Sequence, residues 1–253
     1  MRFIESPKNP KIKEIKKLLS SKKARDEKGQ FVLEGPKAIE AYVQSGGKVL
    51  ELLYSKDAKD LPKVNAVVTQ CAPGVMEAVS DVAGDQGVIA IAQKRDWTPQ
   101  QVLKRKRIVV LEQLQDPGNL GTILRTAAAF DYGVILTTGS ADVYNPKVVR
   151  ALAGNFLAPF VYVTGGEALE LCKNLFVVTT YKSSEKPDFK WRQPFAIVLG
   201  NEGQGLTESW RRIAKANAWI PSKVESLNVS VTSAILMWEG TKIGTAKSSG
   251  DLI

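Results

Sequence analysis

The chain has 253 residues, 44% of them apolar, enough for one large domain or two modest ones, each with a core. It contains no histidine, which removes histidine-based triads and histidine-ligated metals. Cys71 and Cys172 are its two cysteines, far apart in no metal-type spacing, and read as buried thiols in a chain without disulfides.

The formal net charge is +9, and it is unevenly spread. Residues 1–107 hold 21 Lys/Arg against 13 Asp/Glu, or +8, whereas residues 108–253 hold 14 against 13, or +1. The excess sits in residues 1–28 (ten basic, four acidic) and 94–107 (six basic, one acidic). Such an arm and linker suit a polyanion, because each neutralised phosphate releases counterions whatever the sequence. No run reaches the roughly 18 apolar residues of a membrane span, and the opening residues lack an apolar signal core. A cytoplasmic protein that crosses no membrane is therefore expected.

In chain order, Lys8 to Leu19 carries Ile12, Ile15, Leu18 and Leu19 at helical spacing beneath a lysine-rich face. Phe31 to Glu34 is a strand; Gly35-Pro36 then opens a helix to about Gln44. Val49 to Tyr54 and Ala66 to Thr69 are strands, Pro73 starts a helix, and Val88 to Ala92 is an apolar, buried strand. This alternation predicts a small α/β domain over residues 1–93. The polar, basic, Pro99-interrupted stretch 94–107 predicts a linker, with a helix over Gln100 to Arg107.

A second α/β domain is predicted over 108–253. Its strands are Ile108–Leu111, Gly133–Thr137, Pro159–Val163, Phe176–Thr180 and Phe195–Leu199. Its helices are Leu120–Phe130, Pro146–Leu152, Glu167–Lys173, Glu208–Asn217 capped by Thr207, and Asn228–Trp238. The polar tail 240–253 is expected to be mobile.

Three polar, glycine-bearing segments each follow an apolar strand, where open α/β sheets bind ligands. The first runs through Pro117-Gly118-Asn119 and Gly121 to Arg125; an arginine there can fork onto a phosphate or carboxylate, or simply face solvent. The second, Leu199-Gly200-Asn201-Glu202-Gly203-Gln204-Gly205, has three glycines in six residues, as a loop pressed against a ligand or another backbone would. Its Glu202 is either catalytic or a partner of loop amides. In the third, Ser226 or Asn228 can be a site residue or the cap of the last helix. Neither glycine segment fits a dinucleotide fingerprint or a phosphate-cradling Walker loop.

In this order and spacing, Asn119-Leu120-Gly121-Thr122 with Arg125 and Ala127, Leu199 to Leu206, and Ile220-Pro221 with Glu225 to Val231 resemble the SpoU/TrmH family of RNA ribose 2′-O-methyltransferases, within the SPOUT superfamily. Phe31 to Gly35 and Ala38 resemble that family's substrate-binding domain, which is related to ribosomal protein L30e. The resemblance implies a parallel-sheet catalytic domain with a deep C-terminal trefoil knot, a homodimer, and transfer of a methyl group from S-adenosyl-L-methionine without a metal. It assigns the donor to Thr180, Leu199, Gly200, Gly205, Ile220 and Leu227. Arg125, Asn119, Glu202, Ser226 and Asn228 are the implied catalytic set, with the arginine as base or as clamp on phosphate and developing charge. The basic arm and linker make Lys11, Lys13, Lys16, Lys17, Arg105 and Arg107 candidate RNA contacts. Ribosomal RNA is the expected substrate. Transfer RNA, a non-catalytic RNA-binding protein on the same fold, and a nicotinamide oxidoreductase are the alternatives. Two stretches depart from the family pattern: Ser222-Lys223-Val224 after Ile220-Pro221, where a methionine and a nearby glycine are usual, and Leu152, where a serine is common.

Overall fold

A computed structural model describes residues 2–58, 60–79, 87–181, 189–218, 220–224 and 226–243. The chain forms two compact units, residues 1–96 with 142–157, and residues 97–141 with 158–253.

The first unit contains strands β1 (Arg2–Ile4), β2 (Gln30–Glu34), β3 (Val49–Ser55), β4 (Val67–Cys71) and β5 (Val88–Gln93). They lie in the order β1-β4-β3-β5-β2, with β1, β4 and β3 parallel and β5 antiparallel to both its neighbours. The helices are α1 (Pro10–Ser20), α2 (Lys22–Lys28), α3 (Pro36–Gln44) and α4 (Pro73–Glu77). β5 reads as a continuous apolar run because both of its faces are covered, although it is not a parallel strand. Strand alternation divides the core in two. Val32, Leu53, Ile89 and Ile91 meet Ile12, Ile15 and Leu18 of α1. Phe31, adjacent to Val32 and hence on the opposite face, packs with Tyr42, Tyr144 and Phe156.

Two of those aromatics come from residues 142–157, which in sequence fall between two strands of the second unit. This strap contains α7 (Pro146–Leu152) and is fixed polar group by polar group. The buried Arg25 donates from Nε and Nη2 to Asp142 Oδ2 at 2.9 and 2.7 Å, and from Nη1 to the carbonyls of Leu18 and Leu19 at the end of α1. Arg95 N–H donates to Tyr144 Oη, and Arg95 Nη1 to the carbonyls of Ser45 and Phe156. Ala153 and Gly154 adopt positive φ, and a Cβ on Gly154 would stand 2.0 Å from the Ala38 carbonyl oxygen. Leu152 is 2% exposed. The leucine that departs from the family pattern is therefore part of this packing.

The second unit is built on β6 (Arg107–Leu111), β7 (Gly133–Thr137), β8 (Phe160–Val163), β9 (Phe176–Thr179), β10 (Phe195–Leu199) and β11 (Ala216–Asn217). All six are parallel, in the order β11-β9-β10-β6-β7-β8. Its helices are α5 (Pro99–Leu103), α6 (Pro117–Ala129), α8 (Gly165–Cys172), α9 (Glu208–Ile213) and α10 (Val229–Thr241). Val110, Ile135, Ala196 and Val198 fill the sheet core with Trp210 and Cys172.

Several sequence expectations change here. The helix expected to run to Arg107 ends at Leu103, because Arg107 opens β6 and pairs with Phe195. The helix expected from Leu120 begins at Pro117, so that Pro117-Gly118-Asn119 is the first turn of α6: Asp116 caps the helix by accepting from Asn119 N–H at 2.7 Å. The helix expected over Glu208 to Asn217 stops at Ile213, since Ala216 and Asn217 pair with Val178 and Thr179. Its cap residue, Thr207, makes no side-chain cap bond. At the C-terminus, the expected mobile tail begins too early, because α10 is helical through Thr241; residues 244–253 lie outside the described ones.

Both thiols are buried, which pushes the Cys71 pKa up to about 11 and that of Cys172 to about 12. Neither is expected to react with a maleimide in the folded protein at neutral pH, and both are expected to react after denaturation. Mass spectrometry of the labelled chain checks this.

Candidate active site

At the carboxyl ends of β9, β10 and β11 the second unit has a cavity of about 410 Å³. This is the position where open α/β sheets bind ligands, and the size falls within the usual small-molecule range. Thr180 and Tyr181 follow β9, and Leu199 ends β10 and leads into Gly200; all four line the cavity. Thr180 Oγ1 donates to the Val198 carbonyl at 2.8 Å, and Asn217 brackets Tyr181 by accepting from its N–H and donating to its carbonyl.

The glycine loop is folded on itself. Asn201 pairs with Gly205, and Asn201 Oδ1 accepts from Gly203 and Gln204 N–H. A Cβ on Gly200 would stand 2.4 Å from the Gly205 carbonyl carbon, and Gly205 has φ +69°, so both positions require glycine. Asn201 thus takes the loop amides, which leaves Glu202 free for another role.

Glu202 Oε1 accepts from Asn119 Nδ2 at 3.2 Å, and Asn119 Oδ1 accepts from Asn228 Nδ2 at 3.0 Å. Asn228 is the N-cap of α10, its Oδ1 accepting from Ser230 N–H at 2.8 Å and Val231 N–H at 3.4 Å. The helix cap is here also a residue of the cavity lining. Three segments separated by 83 and 109 positions thus meet in one hydrogen-bonded line. Glu202, Ser226 and Asn228 also line the cavity, with Gly205, Ile220 and Leu227.

Arg125 stands apart from the cavity lining. Six residues at about 100° each turn it about 120° around α6 from Asn119. It is exposed, and no side chain among the described residues pairs with its guanidinium. Sequence reading missed Tyr181, Asn201, Ala218, Val229 and Thr232 in the lining. Val229 and Thr232 follow from Asn228, being the i+1 and i+4 positions of a helix that starts there. Ala218 carries no polar signal that would have marked it. Ser222, one of the residues departing from the family pattern, also lines the cavity and donates to the Val224 carbonyl.

Among the described residues lining the cavity, Glu202 carries the one formal charge, and no lysine or arginine is present. A dinucleotide needs cations or free backbone N–H groups for its diphosphate, and here the N–H groups of Gly203 and Gln204 are taken by Asn201 and those of Ser230 and Val231 by Asn228. This lining offers an acid, hydroxyls, amides and apolar surface, which suit a nucleoside bearing a cationic or zwitterionic chain. No group of three or more metal-ligating side chains occurs among the described residues, and no helix among them is long and apolar enough to cross a membrane.

Of the basic candidates, Lys13, Lys16 and Lys17 are exposed on α1. Lys11 is ion-paired with Glu14 at 2.8 Å and Glu51 at 2.9 Å. In the second unit, Arg105 pairs with Asp131 at 2.7 Å and Arg107 lies over the Tyr132 ring at 5.5 Å.

Residues 106–238 match the SpoU rRNA Methylase family, and residues 9–90 match the MRM3-like substrate binding domain. The chain is 30% identical to the 23S rRNA (guanosine(2553)-2′-O)-methyltransferase RlmP of Bacillus subtilis, over 94% of this chain and 98% of the relative. The structure of an AdoMet-bound rRNA methyltransferase from Sinorhizobium meliloti superposes with a TM-score of 0.85 at 27% identity, covering 97% of this chain and 99% of that one. The SpoU methyltransferase AviRb of Streptomyces viridochromogenes gives 0.82 at 26% identity, covering 92% and 97%. The match to the catalytic family spans more than half of the residues, and the chain belongs to the SpoU rRNA methylase family.

Proposed function

We propose that the protein methylates a ribose 2′-hydroxyl of ribosomal RNA with S-adenosyl-L-methionine bound in the cavity of the second unit. The observation that carries this reading is the Glu202–Asn119–Asn228 line beside a cavity whose one charged lining group among the described residues is acidic. The neutral backbone around Gly200, Ile220 and Leu227 suits the nucleoside, with Thr180 and Leu199 closing the pocket, and the acid suits a sulfonium. The bound donor supplies an activated methyl group that needs alignment and no metal.

The chain's own residues then have to hold the ribose and ease the loss of its 2′-hydroxyl proton to water as the oxygen takes the methyl group. Asn119 and Asn228 offer amides to ribose oxygens, with Glu202 fixing the orientation of Asn119 and Ser226 adding a hydroxyl. Arg125 presents a guanidinium fork and acts as a clamp on the RNA phosphate and on charge developing at the 2′-oxygen.

Because Arg125 lies outside the cavity lining, we assign it to a site completed by a second copy of the chain. α10 carries apolar residues beyond its buried side: Leu236, Met237 and Gly240 are buried within the unit, while Val231, Ile235 and Trp238 are 47%, 38% and 50% exposed. These three positions, i, i+4 and i+7, form one stripe suited to a homodimer. The trefoil knot and a cytoplasmic location accompany this reading of the family.

Residues 1–93, with the basic stretch 94–107, are assigned to RNA docking, and 108–253 to methyl transfer, with the strap 142–157 packed on the docking unit. Lys13, Lys16 and Lys17 are the leading phosphate contacts. Lys11, Arg105 and Arg107 can exchange their present partners for phosphate, since partly exposed ion pairs hold weakly. Changing Lys13, Lys16 and Lys17 to glutamine is expected to reduce the slope of log affinity against log salt by about one unit per lysine. Donor affinity should stay at the parental value. Filter binding over a salt series reads the first, calorimetry the second.

The proposal is tested by incubating the protein and labelled donor with unmodified ribosomal RNA and, separately, transfer RNA. Label on ribosomal RNA supports it. Label on transfer RNA alone, or donor binding without transfer to either, sinks the ribosomal assignment or the catalytic one respectively.

A further inference from the structure

Glu112 is a buried carboxylate that the site as described does not use. It is the first residue past β6 and is 6% exposed. Its Oε2 accepts from Thr207 N–H at 2.9 Å, and its Oε1 from Thr207 Oγ1 at 2.8 Å. No lysine or arginine among the described residues pairs with it. A polar side chain withdrawn from water is costly unless its hydrogen bonds are made, and here both oxygens are satisfied by one residue, Thr207.

Its surroundings point to a role. Thr207 ends the glycine loop that begins at Gly200. The loop's beginning is held by the same segment: Glu112 N–H donates to the Leu199 carbonyl, and Asn201 Nδ2 donates to the Gln113 carbonyl. Gln113 adopts φ +52°, a left-handed conformation unusual for a residue with a side chain, and its N–H donates to Thr137 Oγ1. Both ends of the loop are thereby tied to two consecutive residues at the end of β6. Thr207 gives up its own cap function for this, since its hydroxyl turns from the amides of α9 to Glu112.

We propose that Glu112 is a positioning residue for methyl transfer, fixing the curvature of the Gly200–Leu206 loop against which S-adenosyl-L-methionine binds. It acts through Thr207 and touches no substrate. This rests on the donor occupying the cavity, as argued above. The part Glu112 plays is geometric and does not require its charge: a glutamine can accept the Thr207 N–H at its oxygen and donate its amide to the Thr207 hydroxyl.

The test uses the full-length parent, Glu112→Ala, Glu112→Gln and Thr207→Val, with donor affinity by calorimetry, RNA affinity by filter binding and folding by circular dichroism. Losing both acceptors is expected to weaken donor affinity about tenfold or more in Glu112→Ala, and losing one donor about threefold in Thr207→Val. Glu112→Gln should stay within about threefold of the parent, RNA affinity should hold, and the deficit should appear in the donor KM more than in kcat. Parental donor affinity in a folded Glu112→Ala overturns the proposal, as does a Glu112→Gln variant as weak as the alanine. If Glu112→Ala does not fold, Thr207→Val decides, and parental donor affinity there overturns it. A parent that binds no donor refutes the reading of the cavity itself.

Discussion

Arg125→Ala is expected to lower kcat for methyl transfer by about 10²- to 10³-fold, the usual loss when one preorganised donor to a developing oxyanion is removed. Donor affinity should be unchanged, because Arg125 is not part of the cavity lining. Arg125→Lys retains the charge but loses the fork that grips two oxygens at once, and an intermediate rate is expected. Single-turnover kinetics at saturating donor and RNA separate the chemical step from binding. A parental rate in the alanine variant removes Arg125 from the mechanism, and a fall in donor affinity relocates it to the cavity. Asn228→Ala is a useful companion. It breaks both the α10 cap, worth about 1 kcal/mol, and the bond to Asn119, so it should lose stability and rate together.

Placing glutamate at both Ile235 and Trp238 is expected to convert a dimer into a monomer and to remove most activity. Both side chains are exposed in the single chain, so folding of the protomer should survive. Two acids set against their own copies across a two-fold interface cost several kcal/mol, on the order expected for like charges at a contact. Light scattering coupled to gel filtration gives the mass, and methyl transfer is measured on the same fractions. Mixing Arg125→Ala with Asn228→Ala protomers sharpens the test, because a site shared between copies regains part of its activity in the mixed dimer. A monomeric double variant with full activity contradicts the shared site. A parent that is itself monomeric contradicts the assignment of the α10 stripe.

What could be read from the sequence depended on whether the signal was local. β7, α7 and β10 match the expected limits residue for residue, and in α7 the reason is visible: Asn145 caps and Pro146 fills the first helical position. α6 was placed three residues late because Pro117-Gly118 looks like a turn, whereas a proline is equally at home at the first position of a helix. β1 and β11 escaped notice because, at three and two residues, they carry no periodicity and exist through their partners Thr69 to Cys71 and Val178 to Thr179. α2, KKARDEK, has no apolar stripe to reveal it.

The candidate site was legible as three motifs but not as a network. Residue types named Asn119, Glu202 and Asn228, and only the fold showed that Asn119 joins the other two. Glu112 and Thr207 gave a weaker signal still, an acid at a strand end and a helix cap, each with an ordinary local explanation. The membership of residues 142–157 in the first unit depends on contacts made across more than a hundred positions, such as Arg25 with Asp142, and no local pattern encodes it.

The central claim is the chemistry, and the position of the transferred methyl group tests it most directly. Ribosomal RNA labelled by the protein with tritiated S-adenosyl-L-methionine is digested completely to nucleosides and separated by liquid chromatography. The account predicts label in a single 2′-O-methylnucleoside, accumulating about 10²- to 10³-fold more slowly with Arg125→Ala at the same protein concentration. Label on a base, or no label from a protein that binds the donor, contradicts it.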